Sequence, residues 1–115
     1  MYVTVRRYEG VRNAAEAARK VREGFVPLIS DMDGFLGYYW IDAGDGVMLS
    51  TSIFESKAEA DASNLMAVAW VRANKLSEDL PNPPQITEGM VVAEASAASP
   101  GKQPTPSAPE APAAP

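Results

Sequence analysis

Neither cysteine nor histidine occurs among the 115 residues. Without cysteine there is no disulfide, and the redox compartment cannot be read from the chain. Without histidine, no side chain has an unperturbed pKa near 7. Ser-His-Asp and Cys-His nucleophile systems, histidine-based zinc sites and a haem held by a proximal histidine are therefore excluded. Any catalysis must use carboxylates, Tyr, Arg, Lys, Asn or Trp, or chemistry that the substrate brings. Positive charge is also scarce. Through Glu94 there are 9 Lys/Arg against 14 Asp/Glu, and one of each follows, so the net charge of −5 lies in the first part of the chain. Nucleic acid and anionic membranes require clustered positive charge, and neither is expected as a partner. No apolar run reaches the length of a membrane span. The opening Met1-Tyr2-Val3-Thr4-Val5-Arg6-Arg7 enters a strand pattern with no signal peptide before it, so a cytoplasmic location is the expectation.

The most informative segment is Gly34 to Glu55, in which two runs rich in β-branched and aromatic residues flank the turn Ala43-Gly44-Asp45-Gly46. That pattern predicts a hairpin. Its first strand, Phe35 to Ala43, is apolar on both faces: Phe35, Tyr39 and Ile41 point one way, Leu36, Tyr38 and Trp40 the other. Helices cover one face of such a sheet, so the second must meet a ligand or a partner. Upstream, Tyr2 to Tyr8 alternates as a strand. Asn13-Ala14-Ala15-Glu16 is a capping box opening a helix with the stripe Ala14, Ala17, Ala18, Val21, Phe25, Leu28, Ile29 and Met32, which Pro27 should kink. Downstream, Ser56-Lys57-Ala58-Glu59 is a second capping box, and the expected stripe of its helix is Ala58, Ala62, Leu65, Met66, Ala69 and Ala73. Pro81-Asn82-Pro83-Pro84 stops that helix, and Gln85 to Glu94 alternates weakly as a last strand.

The order β-α-β-β-α-β predicts an α+β, ferredoxin-like domain over residues 1–94, with a four-stranded antiparallel sheet and two helices on one face. Residues 95–115 hold six Pro and seven Ala with no aromatic or branched aliphatic residue, a composition expected to stay disordered. The uncovered sheet face is expected to carry Tyr2, Thr4, Arg6, Leu36, Tyr38, Trp40, Met48, Ser50, Ser52 and Phe54. A second copy packed there would form a homodimer through the sheet faces, burying about 800 Å² or more per partner.

Gly34-Phe35-Leu36-Gly37-Tyr38, the hairpin ending in Ser52-Ile53-Phe54-Glu55, and the Ser56-Lys57-Ala58-Glu59 helix resemble the antibiotic biosynthesis monooxygenase-like family over about residues 2 to 94. The resemblance implies a dimeric α/β barrel. It also implies a small protein acting, without a cofactor, as a monooxygenase on an electron-rich aromatic small molecule, which itself reduces O₂. In members with that activity an Asn and a Trp of the second-helix region serve, which points to Asn64 and Trp70 here. Haem-degrading members use a histidine ligand, and this chain has none.

Six residues apart on a helix, Asn64 and Trp70 lie about 120° from one another and do not share a face. Trp70 is equally an aromatic packed along the stripe edge, and Asn64 an exposed helix position. Arg6 is the more physical candidate, because a buried guanidinium requires an anionic partner: a phenolate or carboxylate ligand, or an acidic residue across the dimer. Tyr38, Trp40, Ser50 and Ser52 are expected to line a ligand pocket or, as dimer-core residues, to need no ligand. No metal site is expected, since Asp31-Met32-Asp33-Gly34 offers two carboxylates with no further ligand. The competing expectation is a dimeric module without catalysis, structural or small-molecule-binding. A cavity filled by Phe35, Tyr39, Leu65 and Met66 would favour it.

Overall fold

The computed structural model describes residues 1–97. The elements follow the expected order: β1 Tyr2–Tyr8, α1 Ala14–Lys20, a π-helical turn Val21–Phe25, α2 Val26–Ser30, β2 Phe35–Gly44, β3 Val47–Phe54, α3 Lys57–Ala73, a 3₁₀ turn Leu76–Glu78 and β4 Gln85–Met90. The strands form one antiparallel sheet in the order β2-β3-β1-β4, which is the ferredoxin-like arrangement. Residues 95–97 are exposed and lie in no helix or strand. The rest of the segment expected to be disordered lies outside the described residues. Among the described residues no helix is long and apolar enough to cross a membrane.

Local chemistry accounts for the element boundaries. Asn13 Oδ1 accepts from the Glu16 N–H at 3.1 Å, and Ser56 Oγ from the Glu59 N–H at 3.3 Å, so both expected caps start their helices. Pro27 has no N–H to bond the carbonyl four residues back. The chain takes up a π turn just before it, in which the Val26 N–H reaches the Val21 carbonyl. That extra residue puts Ala17, Val21, Phe25 and Ile29, all four apart, on the buried side and leaves Leu28 48% exposed. The β2–β3 turn places Gly44, Asp45 and Gly46 at positive φ, where glycine carries no steric cost.

The sheet faces are the reverse of the expectation. Tyr2, Thr4, Arg6 and Tyr8 of β1 are buried beneath the helices, as are Met48, Ser50, Ser52 and Phe54 of β3. Val3, Val5, Leu49, Thr51 and Ile53 point away from them. Alternation along a strand defines two sets of side chains but not which set faces in, and hydropathy favours the valines for the core. In β2 a bulge between Phe35 and Gly37 restores the parity, so that Phe35 joins Tyr38 and Trp40 on the helix side and Leu36 is 45% exposed.

The core lies between this face and the helices. It joins Tyr2, Tyr8, Met48 and Phe54 to Val21, Phe25, Ile29, Ala60, Leu76 and Leu80. Complete burial of Phe54 and Met48 is worth about 1.5–3 kcal/mol each. Helix α3 is also rotated from the expected stripe. Its inward residues are Ala60, Ser63, Met66, Ala67, Trp70 and Val71, so that Met66 of the expected stripe packs inward while Leu65 is 75% exposed.

Candidate functional site: a polar pocket beside an apolar groove

The strand register brings the site together in two neighbouring rows across the helix face. One row is Trp40, Ser50, Arg6 and Ile86, and the next is Tyr38, Ser52, Thr4 and Glu88. Four of the expected ligand-contacting residues and Arg6 therefore share one patch, beneath the helices and not on the uncovered face. A dimer built on the other face would put the second copy on the side of the sheet away from Arg6.

Arg6 is 7% exposed, and Asn64 Oδ1 accepts a short hydrogen bond from its Nη2. No carboxylate lies within ion-pair distance of Arg6 among the described residues. A buried cation held by a neutral amide is costly, because the amide returns only part of the lost hydration. Asn64 is thus neither idle nor exposed: it is half-buried and orients the guanidinium.

Two adjoining cavities share Arg6, Tyr8, Ala67, Val71 and Leu80 in their walls. The inner one, between sheet and helices, measures about 20 Å³, room for roughly one water molecule. Tyr38, Trp40, Ser50, Ser52, Ser63, Phe25 and Trp70 complete its wall. Trp40 Nε1 and Ser52 Oγ are buried there without a protein partner. The aromatic rings form a chain, with Phe25 5.3 Å from Tyr38 and 5.2 Å from Trp70, and Tyr8 5.6 Å from Trp40. Gly24 in the π turn admits Trp70, since a Cβ there would lie 2.9 Å from Trp70 Cζ2. Trp70 therefore joins the inner wall while Asn64 opens on the other cavity, as their angular separation on the helix requires.

The outer cavity is a groove of about 600 Å³ between α3, the edge strand β4 and the Pro81–Pro84 loop. Its volume falls in the range of small-molecule sites. Leu65, Val68, Val71, Leu80, Pro83 and Ile86 make it apolar, and Arg6, Asn64, Arg72, Asn82 and Glu88 are its charged and amide groups. The space between sheet and helices is filled to about 20 Å³, leaving no room for a bicyclic ligand, but only in part by the expected residues: Phe35 and Met66 pack against the core, whereas Tyr39 is 60% exposed on the outer sheet face and Leu65 lines the groove. Space for a ring system exists beside α3 rather than under it.

Neither Tyr8 nor Tyr38 is a base at neutral pH. Burial pushes the Tyr38 phenol far up, with Tyr8 adding to the effect and Ser50 and Arg6 offsetting part of it. Burial also raises Tyr8, against the nearby Arg6 charge. Both stay protonated, so each has an O–H available to donate. Sequence reasoning missed Tyr8, although its place two residues after Arg6 on the same strand face was a usable signal. It also took Pro81–Pro84 only for a helix stop. Nothing local to the loop announces a groove wall, which exists because Asn82 Nδ2 ties the loop to the Glu9 carbonyl at 3.0 Å.

No family model matches the chain, and no curated protein matches it in sequence. Solved structures do share its fold. A protein of unknown function from Nitrosomonas europaea superposes with a TM-score of 0.68 at 21% identity, covering 85% of this chain and 95% of that one. A monooxygenase from the gene ActVA-Orf6 of Streptomyces coelicolor, in complex with nanaomycin D, gives 0.65 at 19% identity over 85% and 92%. A Deinococcus radiodurans protein provisionally described as an antibiotic biosynthesis monooxygenase gives 0.56 at 18% identity over 86% and 100%. The chain thus has the antibiotic biosynthesis monooxygenase-like fold, and at these identities the likeness is one of fold.

Proposed function

We propose that the protein is a small homodimer that binds an aromatic or other apolar small molecule beside α3 and oxygenates it without a cofactor. The observation that carries this reading is the Arg6–Asn64 pair at the polar end of a groove of about 600 Å³. The fold shared with the Streptomyces coelicolor monooxygenase supports the reaction class. In such a reaction a hydroxyarene and O₂ give a quinone and water. One oxygen atom enters the ring as a carbonyl, and the other leaves as water with two substrate hydrogens. The ring supplies the four electrons. Arg6, steadied by Asn64, would hold the substrate through an anionic oxygen substituent and so fix its place in the groove. Trp70, Tyr38 and Trp40 would wall the inner end, and Ser50 and Ser52 would supply hydroxyl groups there. The uncovered face, with Val3, Val5, Tyr39, Ile41, Leu49 and Ile53, would pack against a second copy.

A second reading, a dimeric binding module without catalysis, is favoured by one observation: the inner cavity is too small for a ring. Oxygen uptake separates the two. With a panel of naphthols and quinols, the wild-type protein should consume O₂ above the uncatalysed rate. Asn64→Ala and Trp70→Phe should each lose about tenfold or more, as removal of a positioning group does. Equal background rates in all three proteins would leave only the binding module.

A further inference from the structure

The charge at the head of the groove defines the ligand more narrowly. We infer that the natural ligand is a carboxylate on an apolar body, with Arg6 as its charge anchor; the inference rests on the groove being the binding site. Arg6 brings five N–H donors in a planar fork, which matches the two oxygens of a carboxylate. Asn64 takes up one of them from the helix side. The guanidinium lines both cavities, and in a site only 7% exposed it has no counter-ion among the described residues.

The surroundings agree. Arg6 and Arg72 stand against Glu88 in the groove wall, an excess of one positive charge in a chain whose net charge is −5. Glu88 sits two residues along β4 from Ile86, opposite Thr4 rather than opposite Arg6, and makes no ion pair with it. Leu65, Val68, Val71, Leu80, Pro83 and Ile86 form the apolar walls beside these charges. A buried cation without a counter-ion, set among hydrocarbon walls, is complementary to an amphipathic monoanion. A neutral ligand of the same shape would leave the guanidinium buried and uncompensated.

The test compares two ligands of the same shape, 2-naphthoate and its neutral amide 2-naphthamide, titrated calorimetrically into the full-length protein. The wild type should bind the carboxylate more tightly by about tenfold or more, the range of a charge-assisted bidentate pair. Arg6→Gln should abolish that preference, and Arg6→Lys should restore part of it. Because the first comparison uses only the wild type, it does not depend on how a variant folds. Equal affinity for the two ligands in the wild type, or a preference that survives Arg6→Gln, would overturn the inference and leave the groove as a site. Failure of both ligands to bind would overturn the groove as well.

Discussion

The two faces of this sheet carry the opposite of what burial usually selects. The face under the helices buries an arginine, a threonine and two serines, Arg6, Thr4, Ser50 and Ser52. The face turned away presents Val3, Val5, Leu49 and Ile53, flanked by Tyr39 at 60% and Ile41 at 43% exposure. Buried polar groups cost free energy unless they are bonded, and Thr4 Oγ1, Ser52 Oγ and Trp40 Nε1 have no partner. Stability alone does not explain such a face, whereas a ligand site does. Conversely, an apolar sheet surface facing water calls for a cover. On the function proposed above, the inner face would serve chemistry and the outer face self-association.

Breaking the outer face should have the largest effect. Val5→Lys, in the middle row of that face, would bury two unpaired ammonium groups in a symmetric dimer. Sedimentation should show a dimer for the wild type and a monomer for the variant, with association weakened about 100-fold or more. A variant that remains dimeric would mean that the face is not the interface. Next comes the contrast between neighbours on opposite faces. Phe54→Ala should lower unfolding stability in urea by about 3–5 kcal/mol, because Phe54 is fully buried within one protomer. Ile53→Ala should cost less, and its cost should depend on protein concentration, since in the proposed dimer its cover would come from the second copy.

Arg6→Met sharpens the comparison from the inside. Replacing a buried cation by a hydrocarbon of similar length should raise stability by about 1 kcal/mol or more. The same change should remove ligand binding, a trade-off expected where a site is kept at the expense of stability. A fall in stability would identify Arg6 as structural. The smallest effect concerns pH. Tyr38 and Tyr8 hold their protons above the ordinary phenol value of about 10 because they are buried. Below that value both states are neutral and the two tyrosines leave stability unchanged. Above it the unfolded chain loses its protons first, so stability falls as pH rises. Tyr38→Phe should flatten that alkaline loss in urea titrations above pH 10, and an unchanged slope would contradict the assignment.

Much of the fold was legible because its signals are local. The two caps at Asn13 and Ser56, the Gly44–Gly46 turn and the alternation of β1 and β3 each depend on residues within a few positions. The faces were not legible, because strand parity is relative: one bulge at Leu36 moves Phe35 to the side of Tyr38, and no hydropathy rule expects Arg6 inside and Val5 outside. The rotation of α3 escaped for a similar reason. Its apolar residues are mostly alanines and encircle the helix, so the position of Leu65 in the groove follows from packing rather than from spacing. Of the site, Arg6, Tyr38, Trp40, Ser50 and Ser52 were found together as one set. The structure keeps them together but on the face beneath the helices, because the residue that holds Arg6 lies 58 residues away at Asn64.

The division of labour between the faces can be read in one experiment. Backbone amide chemical shifts should be mapped while 2-naphthoate is added to the protein. The changes should cluster at Arg6, Tyr8, Asn64, Val68 and Ile86 and spare Val5, Leu49 and Thr51. Changes centred on Val5, Leu49 and Thr51, with Arg6 and Asn64 unmoved, would contradict the account.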